Sequence, residues 1–137
     1  MEFKLEVVVV PVSDVDRAKA FYAEQLGFNV DHDTATNDFR VVQLTPPGSG
    51  CSIVIGTVGP SAGLVDMEPG ILSGLQLVVS DLRAAHAELS GRGVEVSEVQ
   101  VYDGGSLRSS RDGDVLDNVG FFFFSDPDGN GWAVQQI

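Results

Sequence analysis

The sequence holds one cysteine, one tryptophan and only eight basic side chains. Cys51, being alone, closes no internal disulfide and builds no thiolate metal site; it reads as a small buried hydrophobe. The eight Lys and Arg are scattered among twenty Asp and Glu, for a net charge of −12. Nucleic-acid binding is therefore not expected, because phosphate contacts need clustered positive charge. The acidity serves solubility and would draw a cationic ligand by long-range attraction. No apolar run approaches the roughly 20 residues that span a bilayer, so no membrane partner is expected. Glu2, Lys4 and Glu6 interrupt the first apolar stretch, which is thus unlike a signal peptide, and a cytoplasmic location is expected.

Apolar content is not lacking. It reaches 43% against 20% charged residues, a globular composition, and 137 residues suit one domain with a sizeable core. Residues 3–12, FKLEVVVVPV, are β-branched and too short for a buried helix, so a strand is expected. Ser13 can cap a helix, with Asp14 and Asp16 at its positive end. Val15, Ala18, Phe21, Tyr22 and Leu26 then form one apolar stripe at helical spacing, and Gly27 stops it. Strands are expected near 28–32, 38–45 and 51–58.

The plan then repeats. Residues 59–72, with two prolines and several glycines, read as a linker. Residues 74–79 read as a strand, and Ser80-Asp81-Leu82 opens a helix with Leu82, Ala85 and Leu89 on its apolar side, ended by Gly91 and Gly93. Strands follow near 94–102, 119–125 and 131–137. Val12-Ser13-Asp14-Val15 lies over Val79-Ser80-Asp81-Leu82. The chain thus reads as a single domain of two β-α-β-β-β units, 1–58 and 73–137, burying a shared core. The second unit carries a polar insertion at 103–118, of the kind that forms a lid or a disordered segment.

The stretch FFFFSDPDGNGW combines a greasy run with an acidic turn. Asp126, Asp128, Asn130 and Gly131 match the start of a calcium loop, but the twelfth position, which should be Glu, is Ile137, and strands replace the helices that should flank it. A turn is favoured instead: Pro127 presets φ and Gly129 supplies a positive one. The unbroken run Phe121–Phe124 implies burial on both faces of its strand, two rings on each side.

These features together resemble the vicinal-oxygen-chelate superfamily of glyoxalases, bleomycin-resistance proteins, fosfomycin-resistance enzymes and extradiol dioxygenases. The resemblance rests on the paired units, the V-S-D-V/L opening of each helix, AFY followed by LGF, and D-P-D-G-N before the last strand. It covers nearly the whole chain. It implies an α+β fold in which the two units form a curved mixed sheet, a cup, with helices on its outer face, and a homodimer. It says little about reaction, since the fold hosts many chemistries.

Metal-using relatives draw ligands from four positions, which the resemblance maps to Val7, Val54, Gly74 and Ala133. None carries a donor atom, so no metal and no other cofactor is expected. His32 and His86 lie in different elements without a partner at helical spacing and read as surface or boundary residues. Period-two alternation turns Val7, Val9, Gly74, Gln76, Ala133 and Gln135 toward the cup and Trp132 and Val134 toward the helices. Phe121 and Phe123 are pocket candidates from the aromatic run, and Arg40 is a further one. Gln76 and Gln135 are inward amides that must bond either to the protein or to a ligand. Arg108 and Arg111 could close over an anion, although a solvated loop is the simpler reading.

The cup has the make-up of a small-molecule site without an assignable nucleophile–base pair. The expected function is metal-free binding of a small, mostly apolar organic molecule, with sequestration of a drug or metabolite as one form of it. A rival is a lyase or isomerase, either metal-free or using a metal on non-standard ligands such as His32, His86, Glu6 and Glu95. Another is a ligand-free dimerisation module.

Overall fold

The computed structural model describes residues 1–36, 39–56 and 67–137. Most of the expected linker lies outside these residues. The chain is α+β and divides into two compact units, Met1–Leu72 with Asp126–Asn130, and Ser73–Ser125 with Gly131–Ile137.

In the first unit, β1 (Val7–Val9) is followed by α1 (Val15–Ala20), then β2 (Asn29–Thr36), β3 (Phe39–Thr45) and β4 (Ser52–Gly56). The strands form a four-stranded mixed sheet in the order β1-β4-β3-β2, with β1 parallel to β4 and the other pairs antiparallel. Alternation sorts its side chains. Val42, Leu44, Ile53 and Ile55 are buried on the side where α1 packs on β4. Val7, Val9, Ser52 and Val54 share the opposite face.

The first helix differs from the simple stripe expected of it. Its cap is Asp14, not Ser13: the Asp14 carboxylate accepts from the Arg17 N–H at 3.0 Å. After Ala20 the chain widens into a π-helical segment, Phe21–Gln25. The stripe nonetheless stays inside, with Ala18, Phe21, Tyr22 and Leu26 all buried. Tyr22 meets Phe21 edge-on and stacks on Phe28, with ring centroids 5.2 and 5.7 Å away.

The second unit contains β5 (Leu75–Val79), α2 (Leu82–Gly91), β6 (Gln100–Asp103), β7 (Ser106–Ser109), β8 (Gly120–Ser125) and β9 (Gly131–Gln136). They form a five-stranded sheet in the order β5-β9-β8-β6-β7, with only β5 and β9 parallel. Asp81, not Ser80, caps α2, accepting from the Ala84 N–H at 3.0 Å. Two further expectations change here. Residues 94–99 are not strand, and β6 begins only at Gln100. The insertion 103–118 is no bare loop: β7 pairs with β6 through a turn at Gly104-Gly105. Arg108 fastens it, donating to Asp103 at 3.1 Å and to both oxygens of Asp114 at 3.0 and 3.1 Å. The Arg108 guanidinium, helped by the Arg111 N–H, lowers the Asp114 carboxyl to about 2.

The acidic turn joins β8 to β9 as a hairpin, yet residues 126–130 belong to the first unit. Asp126 is 5% exposed and accepts four hydrogen bonds: from the Tyr22 hydroxyl and the Asn130 side-chain amide, both at 2.8 Å, and from the backbone of Asn130 and Asp128 at 2.9 and 3.0 Å. Asn130 also donates to the Pro11 carbonyl at 2.8 Å and accepts from Leu72 N–H at 3.1 Å. Asp128 accepts from the Ser13 hydroxyl at 2.5 Å and from Arg17 at 3.2 Å. Gly70 has φ +84, and a Cβ there would lie 2.1 Å from the Asp128 carbonyl oxygen, so the turn closes against bare backbone. The two sequence motifs, V-S-D-V and D-P-D-G-N, are the two halves of one clasp. Its carboxylates are occupied by protein donors.

Candidate functional site

The open face of the second sheet is built by β5, β9 and β8. Register pairs Phe123 with Ala133 and Ala133 with Gln76; the next row is Phe121, Gln135 and Val78. The other side of the same strands carries Phe122, Phe124, Trp132 and Val134, all buried, where α2 packs on β8 and β9. The four phenylalanines therefore divide as two and two. Phe122 and Phe124 fill the core, with Phe124 stacked on Trp132 at 5.9 Å. Phe121 and Phe123 are half-buried on the open face, with parallel rings whose centroids lie 6.3 Å apart.

Beside the rings runs a directed chain of amides. Gln76 donates from Nε2 to Gln135 Oε1, and Gln135 donates from Nε2 to the Asn118 carbonyl at 2.8 Å. Asn118 has φ +68, a conformation that asparagine tolerates better than most residues. Both glutamines thus bond within the protein. The chain runs one way and leaves the Gln76 Oε1 acceptor at an exposed end. Val78, in the same face, is 58% exposed. The face offers two flat apolar rings, a valine and one oriented acceptor.

The corresponding face of the first sheet is different, with Ser52 and Val54 buried in it. Val7 and Val9 lie there beside Val54 and Ser52. Ser52 and Thr45 share a hydroxyl–hydroxyl bond of 2.6 Å, and Thr45 donates to Asp31, which Asn29 also holds at 2.8 Å. These donors, Thr45 before Asn29, lower the Asp31 pKa. Arg40 departs from its reading as a pocket residue. It shares the α1 side of β3 with Val42 and Leu44, because residues two apart on a strand share a face. There it donates to Asp33 at 3.0 and 3.1 Å and to Asp16 on the helix flank at 2.5 Å. Lys19 adds a bond to Asp33 at 2.7 Å. The carboxyl of Asp33 is held far below its ordinary range by Arg40 first and Lys19 second.

The remaining titratable groups stand apart. His86 Nε2 lies 2.9 Å from the Ser97 carbonyl, and its ring meets Phe122 edge-on, so it braces α2. His32 is exposed on β2, opposite Gln43. Cys51 is free and half-buried. Among the described residues, no three His, Cys, Asp or Glu side chains gather into a set that could hold a metal ion. No helix among the described residues is long and apolar enough to cross a membrane.

This arrangement can be set beside known proteins. The family model of the Glyoxalase/Bleomycin resistance protein/Dioxygenase superfamily matches residues 4–134. The chain belongs to this superfamily. Among solved structures, TnmS3, an antibiotic binding protein from Streptomyces sp. CB03234, is 33% identical, with 98% of this chain and 96% of that one covered and a TM-score of 0.73. A glyoxalase/bleomycin resistance protein from the same Streptomyces is 34% identical over 97% of this chain and 100% of that one, with a TM-score of 0.70. A superfamily member from Sphaerobacter thermophilus DSM 20745 is 25% identical over 99% and 98% of the two chains, with a TM-score of 0.73. No curated protein matches the sequence.

Metal-using glyoxalase relatives would place their ligands at Val7, Val54, Gly74 and Ala133, and these residues do not fit a divalent ion. Three are hydrocarbon side chains. The fourth, Gly74, has φ +91, a backbone conformation that strains any residue with a side chain, so a ligating residue there would need a different local fold. The clasp explains the acidic turn without a metal. Sequence reasoning missed the Asn118 carbonyl, for which an Asn before an apolar strand is a faint signal. It also missed the partners of Ser13, since residues 115 apart in the chain leave no local trace.

Proposed function

We propose that this protein binds a small, mostly apolar organic molecule on the open face of β5, β9 and β8, without a metal, and holds it rather than transforming it. The observation that carries this reading is the pairing of two parallel, half-buried rings with a one-way amide chain whose last acceptor, Gln76 Oε1, has no protein donor among the described residues. A flat aromatic group would lie on Phe121 and Phe123, and an N–H or O–H on it would donate to Gln76 Oε1. Gly74, Ala133 and Gln135 complete the set of residues proposed to line the site. Further support comes from TnmS3, whose description is that of an antibiotic binding protein. The net charge of −12 favours ligands that carry positive charge. The reading includes a cytoplasmic location and a homodimer, and the exposed Phe3 and Leu5 support the homodimer.

Calorimetric titration with a panel of small planar aromatic antibiotics tests the reading. The expected result is one-site binding by at least one compound, weakened roughly tenfold or more by Phe123→Ala. Absence of binding across the panel would count against it. Titration of chelator-stripped protein with Zn²⁺, Ni²⁺, Mn²⁺ and Fe²⁺ should give no saturable heat. One tight site per chain would instead favour a metalloenzyme.

A further inference from the structure

The helix side of the second unit carries a cleft of about 300 Å³ lined by Arg83, His86, Glu98, Val99 and Ser110. It is separate from the open-face site. Gln100 pairs with Phe121, whereas Val99 and Val101 alternate to the opposite, buried side. Arg83 and His86 stand one turn apart on α2. Glu98 and Val99 lead into β6, and Ser110 follows β7, so the added hairpin supplies one wall.

The cleft holds two opposite charges that do not meet. Arg83 donates to the Arg111 carbonyl at 3.2 Å and reaches the Ser110 hydroxyl at 3.5 Å, both neutral oxygens. Glu98 accepts from the Ser109 hydroxyl at 2.6 Å. Neither joins an ion pair among the described residues, although the ion pairs there engage Arg17, Lys19, Arg40, Arg92 and Arg108. The first unit shows what the same positions can do. Counting from the capping aspartates, Asp16 and Lys19 stand where Arg83 and His86 stand, and there both are braced to the sheet through Arg40 and Asp33. In the second unit no ion pair among the described residues ties these two positions to the sheet, and a polar, two-signed space lies beside them.

We propose that this cleft binds a small zwitterion of the α-amino acid class. Its carboxylate lies on the Arg83 guanidinium and the Ser110 hydroxyl, its ammonium on Glu98, and its side chain over Val99. Charge-assisted bonds at both ends select for a molecule carrying both charges. The volume is at the small end for ligand pockets, which favours a metabolite over a drug-sized compound. The proposal stands independently of the open-face reading.

Calorimetry of the whole chain with L-phenylalanine, L-leucine and L-glutamine tests it, with 3-phenylpropanoate and phenethylamine as single-charge comparisons. Saturable heat is expected for at least one amino acid. Roughly tenfold or greater weakening is expected for each single-charge analogue, and for the amino acid in Arg83→Gln and in Glu98→Gln. Both side chains are exposed, and a melting curve verifies that each variant is folded. In ¹H–¹⁵N spectra of the wild-type protein, shifts should fall on α2 and residues 97–111. No saturable heat with any of the three amino acids overturns the proposal. So does binding that both substitutions leave unchanged, or shifts confined to β5 and β9.

Discussion

The two units start from one plan and finish it differently. In the first, α1 is cross-braced to its sheet by Asp16, Arg40, Asp33 and Lys19, and its π-helical end is packed by Phe21, Tyr22 and Phe28 against the acidic turn. In the second, α2 is regular and buries only Leu82 completely, its charged residues leave a cleft, and the open face shows two rings and an amide chain. The first unit also has the more continuous β4, in which every residue is buried, against a β5 that alternates between half-buried and exposed. The difference teaches how a duplicated fold divides labour. One copy ties its helix to its sheet with ion pairs, and the other leaves Arg83 and Glu98 outside any ion pair among the described residues.

The largest effect should come from the core of the second unit. Phe122→Ala is expected to cost about 3–5 kcal/mol, whereas Phe123→Ala on the open face should cost less than about 1 kcal/mol. Urea unfolding of the two variants measures this, and equal losses would undo the assignment of faces. Next comes the clasp, which belongs to the first unit. Asp126→Ala removes one acceptor from four donors and should cost about 3 kcal/mol; a change below about 1 kcal/mol would mean that the turn is only a linker. Acid should then probe both units. Asp33 and Asp114 have folded pKa values below the ordinary unfolded value of about 3.9. Their contribution is therefore present above about pH 4 and lost as pH falls, for Asp114 toward about 2. Scanning calorimetry between those limits should show a falling melting temperature, and Arg108→Gln should flatten the fall. The smallest effect sharpens the contrast between helices: Arg40→Gln should lower the melting temperature, and Arg83→Gln should leave it nearly unchanged. A reversed order would contradict the brace-and-cleft distinction.

Much of the fold was legible because it follows from periodicity. Alternation in GWAVQQ turned Trp132 and Val134 inward, and both are nearly inaccessible. The repeated V-S-D opening located both helices, though it pointed to serine as the cap where aspartate does the capping. What failed was tertiary in origin. Residues 94–99 are apolar enough for a strand but follow α2 as irregular chain, with Ser97 N–H donating to the Phe123 carbonyl at 2.8 Å. The insertion looked like a bare loop because the Arg108 bonds that fasten it join residues of polar, turn-forming sequence. Arg40 was misplaced because its partner Asp16 lies on another element. In the site, the apolar positions could be read by parity. The direction of the amide chain could not, because it depends on a backbone carbonyl at Asn118.

The placement of residues 126–130 in the first unit has a consequence for biogenesis. A nascent chain leaves the ribosome from its N-terminus, so the first unit emerges long before the pentapeptide that completes it. Until Asp126 and Asn130 arrive, the bonds that the Tyr22 hydroxyl makes to the first and that the Pro11 carbonyl accepts from the second cannot form. The earlier half of this molecule therefore waits for the later half to be translated before its own fold is sealed.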